Sequence, residues 1–279
     1  MDDDKLGYFE DHGTVFAPLP LAEGLWRTGQ LHGVALGGLL ARSLERELVR
    51  RRGGELVPAR FHVDLFRPAK AEETVVEVEV RRDGPRVLLA DATLLQHGEV
   101  MARASLLCLR ATEDPDGRVW SADDRATPPS EDVAPPSDEL RLPLFTSAKP
   151  WSDFFGDHQN SGRHATWQGP VPIIADETPT PFQAIAAIAD TTNMITNWGD
   201  EGVGFINTDI SLALCRRPTT LEVGLRAIDH VSAAGIAVGT AEVFDRAGTL
   251  GTTTVTALAN ARRSIDLGEQ PDHTKAVRT

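Results

Sequence analysis

One carboxylate interrupts an otherwise apolar segment of the chain. Residues 180–198 read TPFQAIAAIADTTNMITNW, and Asp190 stands where the apolar helical run should continue. Asn193 lies one turn further along on roughly the same helix face. A lone buried carboxylate costs several kcal/mol or becomes protonated, so Asp190 must meet hydrogen-bond donors or face a cleft. It is either a general base that orients water at a reactive carbonyl, or a carboxylate held by backbone N–H groups or by solvent.

Several other kinds of chemistry have no support in the sequence. There is no G-x-S-x-G motif, which argues against a nucleophile-elbow hydrolase. The predicted helix has no histidine near Asp190, and the eight histidines of the chain show no metal-ligand spacing, so no metal site is expected. Cys108 and Cys215 lie in apolar contexts and are predicted to be reduced core thiols.

Two helices are predicted to hold these residues. Thr180 and Gln183 form a capping box with Pro181 at the first helical position, so one helix begins there. Residues 32–52 carry apolar side chains at helical spacing with charged side chains outward, which predicts another helix. Gly37 in this earlier helix, with its neighbouring glycine, allows the backbone to approach a sheet closely.

The strand-forming segments occur twice in the same order. FHVDLFRP (61–68) and ISLALCRRP (210–218) each end at an arginine and a proline, and three further strand-like segments follow each. Arg67 matches Arg216 at an offset of 149 residues. Each half is therefore predicted to be one helix on one face of four antiparallel strands, and the halves are predicted to join edge to edge.

The predicted boundaries follow the composition of the chain. The first half is 1–112, a linker is 113–145, the second half is 146–265 and a polar tail is 266–279. The linker is rich in Pro, Asp, Glu and Ser and has little to bury, which is typical of an extended connection.

These segments resemble the acyl-CoA thioesterase II family and its actinobacterial thioesterase-like relatives. The resemblance is carried by LHGVALGGLLARSL (31–44), RFHVDLFRP (60–68), ADTTNMITNW (189–198), FINTDISLALCRRP (205–218) and GTTTVTALANAR (251–262). It covers nearly the whole chain apart from the linker and the tail, and ADxxN followed by FxNTD is its most specific part. It implies an α+β double hotdog fold, in which two helix-wrapped antiparallel sheet units lie in one chain.

The resemblance also implies a set of catalytic residues. In that family a helix aspartate, a strand threonine or asparagine and a final-strand glutamine hold a water for attack on the thioester. The matching positions are Asp190, Asn207 with Thr208 beside it, and Thr256 or a neighbour, where this chain has no glutamine. A hydroxyl is shorter than an amide, so the reach of Thr256 to that water is the open point of the assignment.

Further positions are candidates for contact with the substrate: Gly33, Gly37, Asn193, Thr208 and Arg216. Gly33 and Gly37 near a helix start would admit an acyl or pantetheine chain, and plain helix–sheet packing is the alternative. Arg216 would meet the phosphates of coenzyme A, together with Arg217, Arg262 and Arg263, and solvated strand ends are the alternative. The aromatic stretch 149–169 either caps an acyl tunnel or packs the second sheet.

The resemblance therefore implies a hydrolase that converts a fatty or related acyl-CoA to free acid and coenzyme A in lipid metabolism. The expected ligand is an acyl-CoA or other acyl thioester. Coenzyme A enters as part of the substrate, and no separate cofactor is expected. A catalytically inactive acyl-thioester-binding protein of the same fold is the alternative, and a scaffold without a small ligand is a third possibility.

Composition and sequence pattern predict the cellular location and the binding partners of the protein. The net charge of −13 argues against non-specific nucleic-acid binding. The sequence lacks a membrane-spanning apolar run and the layout of a signal peptide at its start, so a cytoplasmic location without membrane insertion is expected. The last strand contains the uncharged run TTTVTALANA, which as an exposed edge would favour self-association, most simply as a homodimer.

Overall fold

The first half of the chain contains one long helix and four long strands. The computed structural model describes residues 5–24, 27–137, 140–169, 171–260 and 264–267. In chain order the elements of this half are β1 (Phe9–Asp11), β2 (Phe16–Pro18), a 3₁₀ turn (Pro20–Ala22), α1 (Gly33–Arg52), β3 (Leu56–Leu65), β4 (Val75–Asp83), β5 (Val87–Gln96) and β6 (Glu99–Arg110).

The second half repeats this order, with a broken helix and several short strands. Its elements are β7 (Leu144–Thr146), a 3₁₀ turn (Phe155–His158), β8 (Ala165–Gln168), α2 (Pro181–Ile188), a 3₁₀ turn (Ala189–Thr191), α3 (Thr192–Asn197), β9 (Trp198–Gly199), β10 (Gly202–Val203), β11 (Phe205–Asn207), β12 (Asp209–Leu214), β13 (Val223–Ala233), β14 (Ile236–Asp245) and β15 (Gly248–Ala259).

One antiparallel sheet of eleven strands runs through both halves. The strand order is β4-β5-β6-β3-β12-β15-β14-β13-β8-β7, and β11 also pairs with β15. The halves meet where β3 pairs with β12, with Phe61 opposite Leu212. The predicted edge-to-edge joining of two helix-and-strand sets within one chain is thus confirmed.

The position of the last strand differs from the expectation. β15 is bonded on one side to β11 and β12 and on the other to β14, so its uncharged run lies inside the sheet. The outermost strands are β4 and β7, and β4 carries Glu77, Glu79 and Arg81. Charged side chains of this kind discourage edge pairing. The edge argument for a homodimer was therefore wrong, and self-association stays a prediction without that support.

The helices α1 and α2 pack against each other in opposite directions. A Cβ added at Gly37 of α1 would lie 3.3 Å from the carbonyl oxygen of Ala186 in α2, so the absence of a side chain allows close approach. The predicted capping box is present at the start of α2: Gln183 N–H donates to Thr180 Oγ1 (3.2 Å), and Thr180 N–H donates to Gln183 Oε1 (3.4 Å).

The second helix does not continue through Asp190 as expected. α2 ends at Ile188, and Asp190 lies in the 3₁₀ turn before α3. Asn193 and Asn197 follow in α3, where Asn197 Nδ2 donates to Asn193 Oδ1 (2.8 Å). The tighter turn places Asp190 outside regular α-helical hydrogen bonding, at the end of α2 that lies beside the start of α1.

Much of the connection between the halves is anchored to the second half. Residues 111–137 and 140–143 form no helix or strand. Ala134 is fully buried beside Trp167 and Phe244, and Asp124 accepts hydrogen bonds from Arg163 (2.8 Å) and Arg226 (2.9 Å). The expectation of a segment with little to bury therefore holds only in part.

The two cysteines differ in their exposure to solvent. Both cysteines are free thiols; Cys108 is buried as predicted, whereas Cys215 is exposed.

No helix within the described part of the chain has the length and apolar character needed to cross a membrane.

Candidate active site

The carboxylate of Asp190 lies against the first turn of α1. It accepts a hydrogen bond from Asn207 Nδ2 at Oδ1 (2.9 Å) and another from the backbone N–H of Val34. The first N–H groups of a helix have no intrahelical acceptor, and the helix dipole makes this end positive. The start of α1 is therefore a suitable place for a negative charge, and the two halves of the chain supply its parts.

Gly33, the first residue of α1, makes this contact possible. A Cβ added at Gly33 would lie 2.1 Å from Asp190 Oδ1 and 2.3 Å from Cγ, distances at which atoms overlap. Any side chain at this position would push the carboxylate away from the helix start. Gly33 thus belongs to the site, because its lack of a side chain determines where Asp190 lies.

Burial sets the protonation behaviour of Asp190. Desolvation raises the pKa of this carboxyl above its usual 3.8, and the hydrogen bonds from Asn207 and Val34 oppose the shift. A carboxylate with a raised pKa is a stronger base than an exposed one and takes up a proton from water more readily. Perturbed carboxylates of this kind are common where proteins carry out acid–base chemistry.

His32 caps α1 and is fixed as a neutral ring. Its Nδ1 accepts from the N–H of Ala35 (3.0 Å), so the proton lies on Nε2, which donates to the carbonyl of Leu21 (2.9 Å). Burial lowers the pKa of His32, which keeps the ring uncharged. The ring of Tyr8 packs edge-on against it with centroids 5.1 Å apart. Burial and the nearby Asp190 charge raise the pKa of Tyr8, so the phenol keeps its proton.

A cavity of about 240 Å³ opens beside these groups. Asp190, Gly33, His32 and Asn207 line it. Apolar side chains form another part of its wall: Leu31, Leu36, Leu65, Phe66 and Ile206. The remaining polar side chains are Arg27, Gln30 and Arg67. Only Asp190, Gly33 and Asn207 of this set were predicted as site residues. Arg67 stood out in the sequence only as a repeat position, and Arg27 gave no signal.

The chain was compared with known families and structures. A family model described as the acyl-CoA thioesterase N-terminal domain matches residues 22–109, and one described as the acyl-CoA thioesterase C-terminal domain matches residues 115–258. The chain belongs to the acyl-CoA thioesterase family. No curated protein matches it significantly in sequence.

Solved structures extend the likeness to the fold of nearly the whole chain. The tesB protein of Mycobacterium avium subsp. paratuberculosis superposes with a TM-score of 0.63 at 16% identity, covering 90% of this chain and 95% of that one. A Thermobifida fusca protein assigned as a thioesterase II gives 0.65 at 16% identity, covering 92% and 97%. A hot dog fold protein of unknown function from Alicyclobacillus acidocaldarius gives 0.59 at 18% identity, covering 93% and 98%. Together with the sheet described above, these likenesses confirm the predicted α+β double hotdog fold.

The candidate site includes a β-bulge that positions Asn207. Asn207 lies opposite Ala257, and Ser211 lies opposite Thr254, so four steps along one strand match three along the other. The extra residue falls at Thr208, whose N–H (2.8 Å) and Oγ1 (3.1 Å) both donate to the carbonyl of Thr256. A bulge reverses which face the following side chains occupy. It turns Asn207 toward the helix side and Asp190.

The structure does not bring the side chain of Thr256 to Asp190. Ala257 is fully buried on the helix side with Asn207. Side chains of successive strand residues point to opposite faces, so Thr256 points to the other face, as does Val238 opposite it. The neighbouring Gly239 faces the helix, because a Cβ there would lie 2.0 Å from Thr196 Oγ1. This geometry gives no support to the assignment of Thr256 as a water ligand.

Three other candidates also lie outside the cavity. Gly37 is enclosed between α1 and α2, in line with the packing alternative. Asn193 is buried, donates to the carbonyl of Phe205 (3.1 Å) and accepts from Asn197. Thr208 forms the bulge and is absent from the cavity wall.

The guanidinium of Arg216 already donates hydrogen bonds to groups within the chain. Its two terminal nitrogens donate to the carboxylate of the buried Asp245 (2.9 and 2.6 Å), and one also donates to the carbonyl of Gly248 (2.9 Å). Arg217 donates to the carbonyls of Gly54 and Leu56. Neither is placed to meet coenzyme A phosphates, and Arg262 and Arg263 lie outside the described residues.

The aromatic stretch 149–169 contributes to packing around Trp198. The ring of His164 stacks on Trp198 with centroids 5.0 Å apart, and Phe155 packs against Trp198 at 6.0 Å. None of its described residues lines the Asp190 cavity, which agrees with the packing alternative. The described residues contain no group of three or more His, Cys, Asp or Glu side chains arranged to hold a metal ion.

Proposed function

We propose that this protein hydrolyses an acyl-CoA to the free acid and coenzyme A, with Asp190 as the general base. The observation that carries the proposal is a carboxylate with a raised pKa, held at a helix start by Asn207 and Val34, on the wall of a cavity in a member of the acyl-CoA thioesterase family. A thioester is an activated acyl group, so one positioned water and one base are enough.

The reaction needs three groups around the thioester. Asp190 takes a proton from the water as its oxygen forms a bond to the carbonyl carbon, and the amide of Asn207 helps to position that water. The carbon–sulfur bond then breaks, and the proton held by Asp190 passes to the departing sulfur. Because water itself is the nucleophile, no covalent enzyme intermediate is required.

The start of α1 offers the donor for the carbonyl oxygen. His32 accepts from Ala35, and Asp190 accepts from Val34, which leaves the N–H of Gly33 as the first-turn donor nearest the cavity. Backbone donors aimed at a developing oxyanion contribute about 10²–10³ in rate. Gly33 thus has two roles in the proposal: its missing side chain admits Asp190, and its N–H faces the substrate.

The decisive variant is Asp190→Asn. It retains the shape of the side chain, and its oxygen can still accept from Asn207 and Val34, so the fold is expected to persist. General-base catalysis contributes about 10²–10⁴ in rate, so turnover should fall at least about a hundredfold. Turnover of a panel of acyl-CoAs, followed by thiol release, is measured beside the melting temperature. A loss of activity that merely follows a loss of folded protein would rule out the catalytic role.

One observation favours a second candidate, an acyl-thioester-binding protein without hydrolytic activity. The resemblance matches Thr256 or a neighbour, none of them glutamine, to the position of the family glutamine, and the side chain of Thr256 points away from Asp190. A binding protein would bind acyl-CoA with no thiol release in any member of the panel, and Asp190→Asn would leave its affinity unchanged.

A further inference from the structure

Two arginines share the cavity with Asp190. Arg27 and Arg67 both line it, and Asp190 is the sole carboxylate among the lining residues that the structure describes. The side chains that line the cavity therefore include more cationic than anionic groups, although the protein as a whole carries a net charge of −13. A local excess of cationic side chains in a cleft attracts an anionic ligand.

The two arginines are held at one rim by hydrogen bonds between their loops. The N–H of Leu31 donates to the carbonyl of Ala69 (2.9 Å), and the N–H of Ala71 donates to the carbonyl of Gly29 (2.9 Å). These bonds tie the loop that follows Arg27 to the segment that follows Arg67. The pairing keeps both side chains beside the same opening.

The contacts of Arg67 leave it available for a ligand. Its Nη1 donates to the carbonyl of Val100 (3.2 Å) and lies 3.8 Å from Glu99, while the Arg67 and Glu99 side chains are 56% and 66% exposed. Exposed pairs of this kind contribute little to stability. Arg67 can therefore turn toward an anion in the cavity without losing a strong partner, and Arg27 is exposed beside it.

The two anions that the arginines could bind, a phosphate of coenzyme A and a carboxylate on the acyl chain, lie at different distances from the thioester. In coenzyme A about 13 bonds join the sulfur to the nearest phosphate, which in extended form span about 15 Å. The cavity that both arginines and Asp190 line measures about 240 Å³. With the thioester at Asp190, an extended coenzyme A would carry its nearest phosphate about 15 Å away from the sulfur, whereas both arginines line the same cavity as Asp190. The carboxylate of a short acyl chain is the anion that stays close to the thioester.

We propose that the acyl group of the substrate carries a carboxylate, which Arg27 and Arg67 bind while Asp190 acts on the thioester at the other end of a chain of a few carbons. The inference rests on the proposed function and narrows its substrate to the thioesters of short dicarboxylic acids. Leu31, Leu36 and Leu65 pack along the carbon chain between the two charged ends.

The test compares two acyl groups of nearly equal size on one carrier, glutaryl-CoA and its monomethyl ester. The wild-type protein should cleave glutaryl-CoA with the higher kcat/KM. Arg27→Gln and Arg67→Gln should each lower kcat/KM for glutaryl-CoA about tenfold and leave the methyl ester unchanged, because a lost charge-assisted hydrogen bond has this effect. Arg46→Gln serves as the control, since Arg46 is 64% exposed and lies on another surface of α1.

A second arm separates the acyl carboxylate from the carrier phosphates. Glutaryl-N-acetylcysteamine has the same acyl group and no phosphate, so the arginine variants should lower its turnover as well. An arginine effect that is equal for both CoA esters, or that vanishes with the short carrier, would overturn the proposal in favour of phosphate binding. Cleavage of uncharged acyl-CoAs with no preference for glutaryl-CoA would overturn it while the proposed hydrolysis stands. Failure to cleave any thioester would overturn both.

Discussion

The starts of α1 and α2 each meet a carboxylate from the other half of the chain, but in different settings. At α1 the carboxylate is Asp190, which contacts Asn207 and lines a cavity. At α2 it is Glu45, which is 5% exposed and accepts from Thr180 Oγ1 (2.6 Å) and Gln183 Nε2 (2.8 Å). The donors to Glu45 are the capping-box side chains themselves, so this carboxylate completes a helix cap.

The first residue of each helix explains much of the difference. α1 begins with Gly33, which has a free backbone N–H and no side chain to displace Asp190. α2 begins with Pro181, which has no N–H to offer. Both helix starts meet a carboxylate. Only the start of α1, where Gly33 has an N–H and no side chain, lies at a candidate site.

The largest expected effect comes from closing the open helix start. Gly33→Ala places a methyl group 2.1 Å from Asp190 Oδ1, so the carboxylate must move. A displacement of about 1 Å at a catalytic group costs about a hundredfold in rate, and we expect kcat to fall by that factor. Steady-state kinetics on the best acyl-CoA measures it.

Gly54→Ala is the matched control for this variant, because a Cβ at Gly54 meets nothing within 4 Å. Full activity in Gly33→Ala would contradict both the position and the role assigned to Asp190.

The next largest effect is expected at the start of α2, where Glu45 completes the helix cap. Glu45→Gln removes a charge from the N-terminus of α2 and weakens two hydrogen bonds from Thr180 and Gln183. We expect a loss of about 1–2 kcal/mol in the free energy of unfolding, measured by urea denaturation, with unchanged kcat per folded molecule. A large fall in kcat at unchanged stability would mean that the closed helix start also takes part in catalysis.

A smaller effect is expected in the pH dependence. Asp190 must be ionised to act as a base, so kcat/KM should rise with pH through a pKa that burial places above 3.8. Asn207 lowers that pKa by bonding the charged form, so Asn207→Ala should move the midpoint of the rise to higher pH. A pH–rate profile of both proteins tests this, and an unshifted or lower midpoint would contradict it.

The same raised pKa affects stability in a definite direction. The folded protein holds the Asp190 proton to higher pH than the unfolded chain, so its contribution is present below the unfolded pKa and is lost as pH rises through the folded one. Asp190→Asn should therefore be at least as stable as the wild type at pH 7, and its advantage should shrink below pH about 4. Melting curves at the two pH values measure the difference.

The smallest effect is expected from Thr256→Gln. Its side chain lies on the face of the sheet opposite Asn207, so restoring the family glutamine should leave kcat within about twofold of the wild type. A rise of tenfold or more would show that the longer side chain reaches the water at Asp190.

The local elements were predictable because their causes are local. The capping box of Thr180 and Gln183 depends on residues three apart, and strand alternation depends on every second residue. The repeat between Arg67 and Arg216 indicated that the same unit occurs twice, although the two arginines differ in their contacts. Asp190 could be singled out because a carboxylate conflicts with an apolar helix face.

The sequence by itself determined the helices, the strands, their duplication and the misplaced carboxylate. Only the tertiary structure decided what that carboxylate meets. Gly33 lies far from Asp190 along the chain, the bulge at Thr208 depends on the register against β15, and Arg27 reaches the rim through bonds between two loops. Strand order and register are set by contacts between distant segments, and a one-residue shift exchanges the two faces of a strand. Neither the interior place of β15 nor the outward direction of Thr256 could therefore be read from local pattern.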